Sequence, residues 1–142
     1  MKVLVLHGPN LNLLGEREPD IYGSLTLAQI DERLHARAGE LGIELRTFQS
    51  NHEGALIDRI HDERRWMDAL VINPAAYTHT SWALRDAIAA VGVRAIEVHL
   101  SDVMAREPWR RESRIADVCE ARFAGRGVDS YVEALERLAS QR

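Results

Sequence analysis

The chain has 142 residues, of which 46% are apolar and 28% charged, and its formal net charge is −4. That is the size and composition of one soluble domain, residues 1–142, and the lack of any basic block excludes a dedicated nucleic-acid binder. A single cysteine, Cys119, excludes an intrachain disulfide framework, and no apolar run approaches the roughly 18 residues that span a bilayer.

The elements alternate along the chain. "KVLVL" (2–6) reads as a buried strand. "HGPNLNLLGEREPDIYG" (7–23) follows as a long polar loop, where most α/β connections have only about 2–6 residues. Residues 24–41 read as a helix, with Leu27, Ile30, Leu34, Ala38 and Leu41 on one face. Thr26 and Gln29 have capping-box spacing, and Gly42 is the stop. "IELRTF" (43–48) is the second strand, and 53–65 the next helix, with Leu56, Ile57 and Ile60 inward. "ALVIN" (69–73) is the third strand, 81–91 a helix, and "RAIEVHL" (94–100) the fourth strand. "ADVCEARF" (116–123) reads as a fifth strand, before a closing helix over 129–140.

This alternation predicts a parallel sheet covered by helices on both faces. The first, third and fourth strands are apolar nearly throughout and are expected at the centre. In such sheets ligands bind at the carboxyl ends of the strands. Three polar clusters fall there: His7, Asn10 and Asn12; then Asn73, Thr78, His79 and Ser81; then His99, Ser101 and Asp102.

Several chemistries are excluded by pattern. The first loop has neither Gly-Lys-Ser/Thr nor GxGxxG, so it is no P-loop or dinucleotide fingerprint, and there is no GxSxG elbow. "HEGAL" and "HDERR" lack the second histidine of a zinc helix, so no metal is expected, and no cradle for an organic cofactor is visible. What remains is Tyr, His, Arg and Asn, the side chains of metal-free proton transfer on a small polar substrate. Arg17, Arg106 and Arg110 imply that the substrate is anionic or rich in hydroxyls.

Four motifs carry a family resemblance: "GPNLNLLGEREPDIYG", "QSNHEGALID", "NPAAYTHTSWALRDA" and "IEVHLSDVMAREPWRRES". In this order and spacing they resemble the type II 3-dehydroquinate dehydratases. The resemblance implies a flavodoxin-like fold and a cofactor-free loss of water from 3-dehydroquinate, giving 3-dehydroshikimate. It also implies a homo-oligomer, a dodecamer built of trimers. The single cysteine suits a reducing compartment and the N-terminal apolar run is too short for a signal peptide, so a cytoplasmic protein with no membrane or nucleic-acid partner is expected.

Residue by residue, Tyr22 matches the family's base and Arg17 the cation that favours its phenolate. Asn10 matches the asparagine that holds the enolate together with a water, and His99 the general acid, with Glu97 placed to orient it. Asn73, His79 and Arg110 match hydroxyl ligands, and the amides of Leu100 and Ser101 match the carboxylate site. Asp86 matches an acid that reaches into a neighbouring subunit, and Arg106 reads as a lid-docking ion-pair residue. The long loop is then a lid that carries base and cation onto the substrate.

The chain departs from the family pattern at Ala75, Trp82, Asp102, Met104 and Pro108, and none of these is an acid–base group. It departs again over 119–131, where Glu120, Arg122, Arg126 and Asp129 stand in a usually small, apolar stretch. Alternation there predicts an edge strand with one solvated, charged face (Val118, Glu120, Arg122) and one apolar face (Cys119, Ala121, Phe123). Those charges are expected to act on subunit assembly. Two other readings remain open: a binding module that keeps the site for a ligand, and an enzyme for a related polyhydroxy acid.

Overall fold

A computed structural model describes residues 1–142. Five parallel strands form one sheet: β1 (Lys2–His7), β2 (Glu44–Gln49), β3 (Ala69–Asn73), β4 (Arg94–His99) and β5 (Ala121–Ala124), in the order β2-β1-β3-β4-β5. This is the doubly wound flavodoxin-like order, and its direction reverses between β1 and β3. The three most apolar strands are indeed the central ones.

Strand side chains alternate between faces, and in the central strands both faces are buried. Val3, Val5, Val71, Ile96 and Val98 pack against α2 (Leu27–Leu41) and α5 (Val128–Ser140), through Ile30, Leu34, Tyr131 and Leu135. Leu4, Leu6, Leu70 and Ile72 pack on the other face against α3 (Glu53–Glu63) and α4 (Trp82–Val91), through Leu56, Ile60, Leu84 and Ile88. Each such side chain, fully removed from water, contributes about 1.5–3 kcal/mol. Two-sided burial is why these strands read as unbroken apolar runs.

The capping box holds as read. Thr26 accepts from the Gln29 amide and Gln29 accepts from the Thr26 amide, so α2 starts at Leu27 rather than at 24. The loop after β1 is not featureless: it contains a 3-10 turn at Leu11–Leu13 and a short helix, α1 (Pro19–Tyr22).

The fifth strand differs from expectation. Residues Ala116–Val118 form a 3-10 turn, and pairing begins only at Ala121. Two features break the expected alternation. Cys119 and Val118 pack with the α3/α4 layer while Ala121 and Phe123 pack with the α2/α5 layer. Arg122 is not on a solvated face either, because its guanidinium turns toward the buried Glu97 on β4. The strand does lie at the sheet edge, next to β4.

Candidate active site

The switch between β1 and β3 opens a crevice at the carboxyl ends of the strands. Here the Gly8 amide donates to the Asn73 carbonyl at 2.7 Å. A Cβ on Gly8 would stand 2.4 Å from the Pro74 carbonyl oxygen, so only glycine lets the two strand ends approach this closely. A cleft follows, lined by Asn10, Arg17 and Tyr22 from the long loop, by Asn73 from the end of β3 and by His79 from the turn after it. His99, Leu100, Ser101, Arg106 and Arg110 complete it from β4 and the segment beyond.

Ten of the twelve residues singled out in the sequence thus line one cleft, Arg106, the lid-docking candidate, among them. Glu97 lies behind it, fully buried, in contact with His99. Asp86 is not brought to it: within one chain Asp86 sits exposed on α4, paired with Arg85 at 3.1 Å.

The loop half of the site is a cation–phenol cluster. Arg17 Nη2 donates to the Tyr22 hydroxyl at 2.9 Å, with the guanidinium carbon 4.2 Å from the ring centroid. Arg106 lies 5.1 Å from the same ring and donates to Ser101 Oγ at 3.3 Å. Two guanidinium groups thus stand beside one phenol ring. Proline at the first position of α1 presets the turn that carries Tyr22.

The strand half is a buried acid–base pair. Alternation along β4 puts Glu97 and His99 on the same face, and His99 Nε2 meets Glu97 Oε2 at 2.5 Å. The other carboxylate oxygen accepts from Ser113 Oγ at 2.7 Å. Burial pushes the Glu97 carboxyl up, but the hydrogen bonds from His99 and Ser113 and the charges of His99 and Arg122 outweigh it, leaving it below its usual range. An ionised Glu97 only accepts, so the imidazole proton sits on Nε2 and the Nδ1 edge is left for the cleft.

The remaining polar groups are positioned by local structure. Asn73 is buried, and its Oδ1 accepts from the Ala75 amide at 3.1 Å. Ala75 itself has φ of +52°, the left-handed conformation that favours glycine, which accounts for the glycine common in the resembling pattern. His79 Nδ1 donates to the Glu112 carbonyl at 2.7 Å, and Trp109 packs edge-on against its ring. Burial pushes the His79 imidazole down and the Glu112 carbonyl pulls it up. The neighbouring His99 and Arg110 charges push it down again, and the net direction is below the ordinary histidine value. The backbone N–H groups of Leu100 and Ser101 donate to nothing within the chain.

Three supporting residues were not visible as such in the sequence. Ser113 lies in the irregular stretch after the fourth strand, with no motif to mark it. Arg122 looked like a surface charge. Tyr131, fully buried in α5, holds His7 Nδ1 at 2.9 Å, while His7 Nε2 meets Asp31 at 2.8 Å. Helical spacing marks Tyr131 as core; only a buried hydroxyl's need for a partner signals its network.

Fold and site together define a flavodoxin-like α/β protein with an acid–base constellation at its topological switch point. The model of the family Dehydroquinase class II matches residues 1–139. The 3-dehydroquinate dehydratase of Pelotomaculum thermopropionicum is 52% identical over 140 residues, covering 99% of this chain and 97% of its own length. A protein of Neosartorya fischeri named catabolic 3-dehydroquinase 1 is 54% identical over 137 residues, covering 96% and 91%. The crystal structure of the type II dehydroquinase from Butyrivibrio crossotus superposes with a TM-score of 0.95 at 44% identity, over 97% of each chain. The chain belongs to the class II dehydroquinase family.

Proposed function

We propose that this chain dehydrates 3-dehydroquinate to 3-dehydroshikimate, with Tyr22 as base and His99 as acid. One observation carries the reading: a cation-paired phenol and a carboxylate-held imidazole open on the same cleft. The Tyr22 phenolate takes the proton beside the ketone, and the electron pair moves onto the ketone oxygen as an enolate. The enolate collapses, a C=C bond forms, and the C–O bond to the departing hydroxyl breaks. His99 supplies the proton with which that hydroxyl leaves as water; Tyr22 then releases its proton to solvent and His99 takes one up, so atoms and charge balance over the cycle.

Asn10 is assigned to the developing enolate oxygen, where a neutral donor stabilises charge present only in the transition state. The free amides of Leu100 and Ser101 receive the substrate carboxylate. Asn73, His79 and Arg110 hold the hydroxyls, and Asp86 is assigned to the neighbouring site of a trimer within a dodecamer. The loop carrying Arg17 and Tyr22 serves as a lid, with Arg106 as its dock.

The test is turnover of 3-dehydroquinate followed by ultraviolet absorbance of the conjugated product. Wild type should turn over, and Tyr22→Phe and His99→Ala should each lose about 10²–10⁴-fold in kcat. Near-wild-type turnover by Tyr22→Phe refutes the base assignment. Binding of dehydroquinate without turnover by wild type would favour a binding module instead.

A further inference from the structure

Arg122 has no role in the chemistry above, yet it sits where the chemistry is most sensitive. On the sheet, Arg122 of β5 is the direct cross-strand partner of Glu97 of β4. Its Nε lies 3.2 Å from Glu97 Oε2, the same oxygen that His99 occupies. No other acid pairs with Arg122, and neither its buried Nε nor its buried Nη2 makes a hydrogen bond, so its contact with Glu97 is one of charge. The three other ion-paired charges of this region behave differently: Glu120 meets Arg94, Arg126 meets Glu133 and Asp129 meets Arg33, on the surface.

We propose that Arg122 is a positioning residue for the acid half of the site, lowering the proton affinity of the Glu97–His99 pair so that the proton passes to the departing hydroxyl. This rests on the reading of His99 as general acid. Consider the pair after His99 has given up its proton. Glu97 is fully buried, and an ionised carboxylate there without a cation is strongly disfavoured. Ser113 is neutral, and Cys119 adds no charge, since burial and the nearby Glu97 and Asp117 charges push its thiol up to about 12. His79, facing from the β3 loop, is kept toward its neutral form by burial. Arg122 is then the one permanent cation in contact with the carboxylate, because a guanidinium does not deprotonate in proteins. Without it, the pair retains its proton more tightly and His99 is a weaker acid.

A merely structural Arg122 would fill space and bridge two strands. The variants Arg122→Lys, which keeps the charge, and Arg122→Met, which keeps the bulk, separate the two roles. Steady-state kcat and KM are measured together with the His99 imidazole titration by NMR in the substrate-free protein. Expected is a kcat within about threefold of wild type for Arg122→Lys. Arg122→Met should lose about tenfold in kcat with KM within about twofold, and its imidazole should titrate about one pH unit higher. Arg122→Gln replaces the methionine variant should that one fail to fold. An unshifted titration in Arg122→Met overturns the proposal, as do equal losses in the lysine and methionine variants. The titration needs no substrate, so it decides the charge role even if wild type proves inactive on 3-dehydroquinate, the outcome that would refute the dehydratase reading.

Discussion

Substituting Glu97→Gln exchanges one carboxylate oxygen for an amide NH₂ and reverses the polarity of the contact that holds His99. Glu97 accepts at both oxygens, from Ser113 at 2.7 Å on one and from His99 at 2.5 Å on the other. A glutamine oxygen can still serve Ser113. Its amide NH₂ then faces His99 Nε2, a donor in the native arrangement, and the cationic guanidinium of Arg122. The imidazole can relieve this clash only by presenting a bare nitrogen, which leaves it neutral and in the other tautomer. One charge-assisted hydrogen bond to the imidazolium is lost, worth about 2–3 kcal/mol, or roughly 30- to 150-fold in kcat. KM should hold within about twofold, because Glu97 is fully buried and lines no part of the cleft. Product absorbance gives both constants. A folded variant whose kcat stays within about threefold of wild type refutes the orienting role. The same substitution has a stability signature. Glu97 titrates below its usual value of 4.5 in the folded chain, so its ionised form stabilises the protein above about pH 4.5, and this is lost as pH falls through the lower folded value. Urea midpoints should therefore fall less steeply with acid in Glu97→Gln than in wild type.

Gly8→Ala should destabilise by about 3 kcal/mol in urea unfolding, because its Cβ meets backbone rather than a side chain that could turn away; a loss below about 1 kcal/mol refutes this. Activity should fall with it, since the Gly8 amide ties β1 to the Asn73 carbonyl. Exhaustive chelation should leave turnover unchanged, as no three His, Cys, Asp or Glu side chains cluster as ligands; loss rescued by a divalent ion overturns the acid–base scheme.

The sheet was legible because its central strands are buried on both faces and so lack polar interruption, from Leu4 to Ile72 to Val98. The rule that such sheets bind at their carboxyl edge then selected His7 to Asn12, Asn73 to Ser81, and His99 to Asp102, and the cleft lies there. What was misread lies at the edge. Alternation assigns Arg122 a face but not the direction its long side chain takes, and burial of the stem with the charge turned inward is invisible to a period-2 pattern. The strand also begins later than the pattern predicts, because Asp117 is the only turn former in "ADV" and the apolar residues around it alternate as a strand would, hiding the 3-10 turn that precedes Ala121. Ser113 and Tyr131 were missed for a related reason: what identifies them is a partner distant in sequence.

The two halves of the site are held by different means, and that division fits their tasks. Glu97 and His99 are consecutive same-face residues of a central strand, both buried, so their 2.5 Å contact is fixed by the sheet itself. The proposed donor of the last proton thus needs no assembly. Tyr22 stands on a four-residue helix with no buried residue, between Glu18 at φ +34° and Gly23 at φ +87°. Few buried contacts place such a segment at the low-stability end of the fold. A phenolate base on a weakly held segment would lose its counter-charge with every displacement if the cation came from the scaffold alone. Arg17 avoids this by lying five residues away on the same loop, within 2.9 Å of the phenol oxygen, so base and cation move as one unit. Arg106 belongs to the scaffold side, ordered by Ser101, and faces the Tyr22 ring when the loop is in this position. Its charge therefore reaches the phenol ring only with the loop docked, so in the proposed reaction both cations meet Tyr22 together only when the cleft is covered.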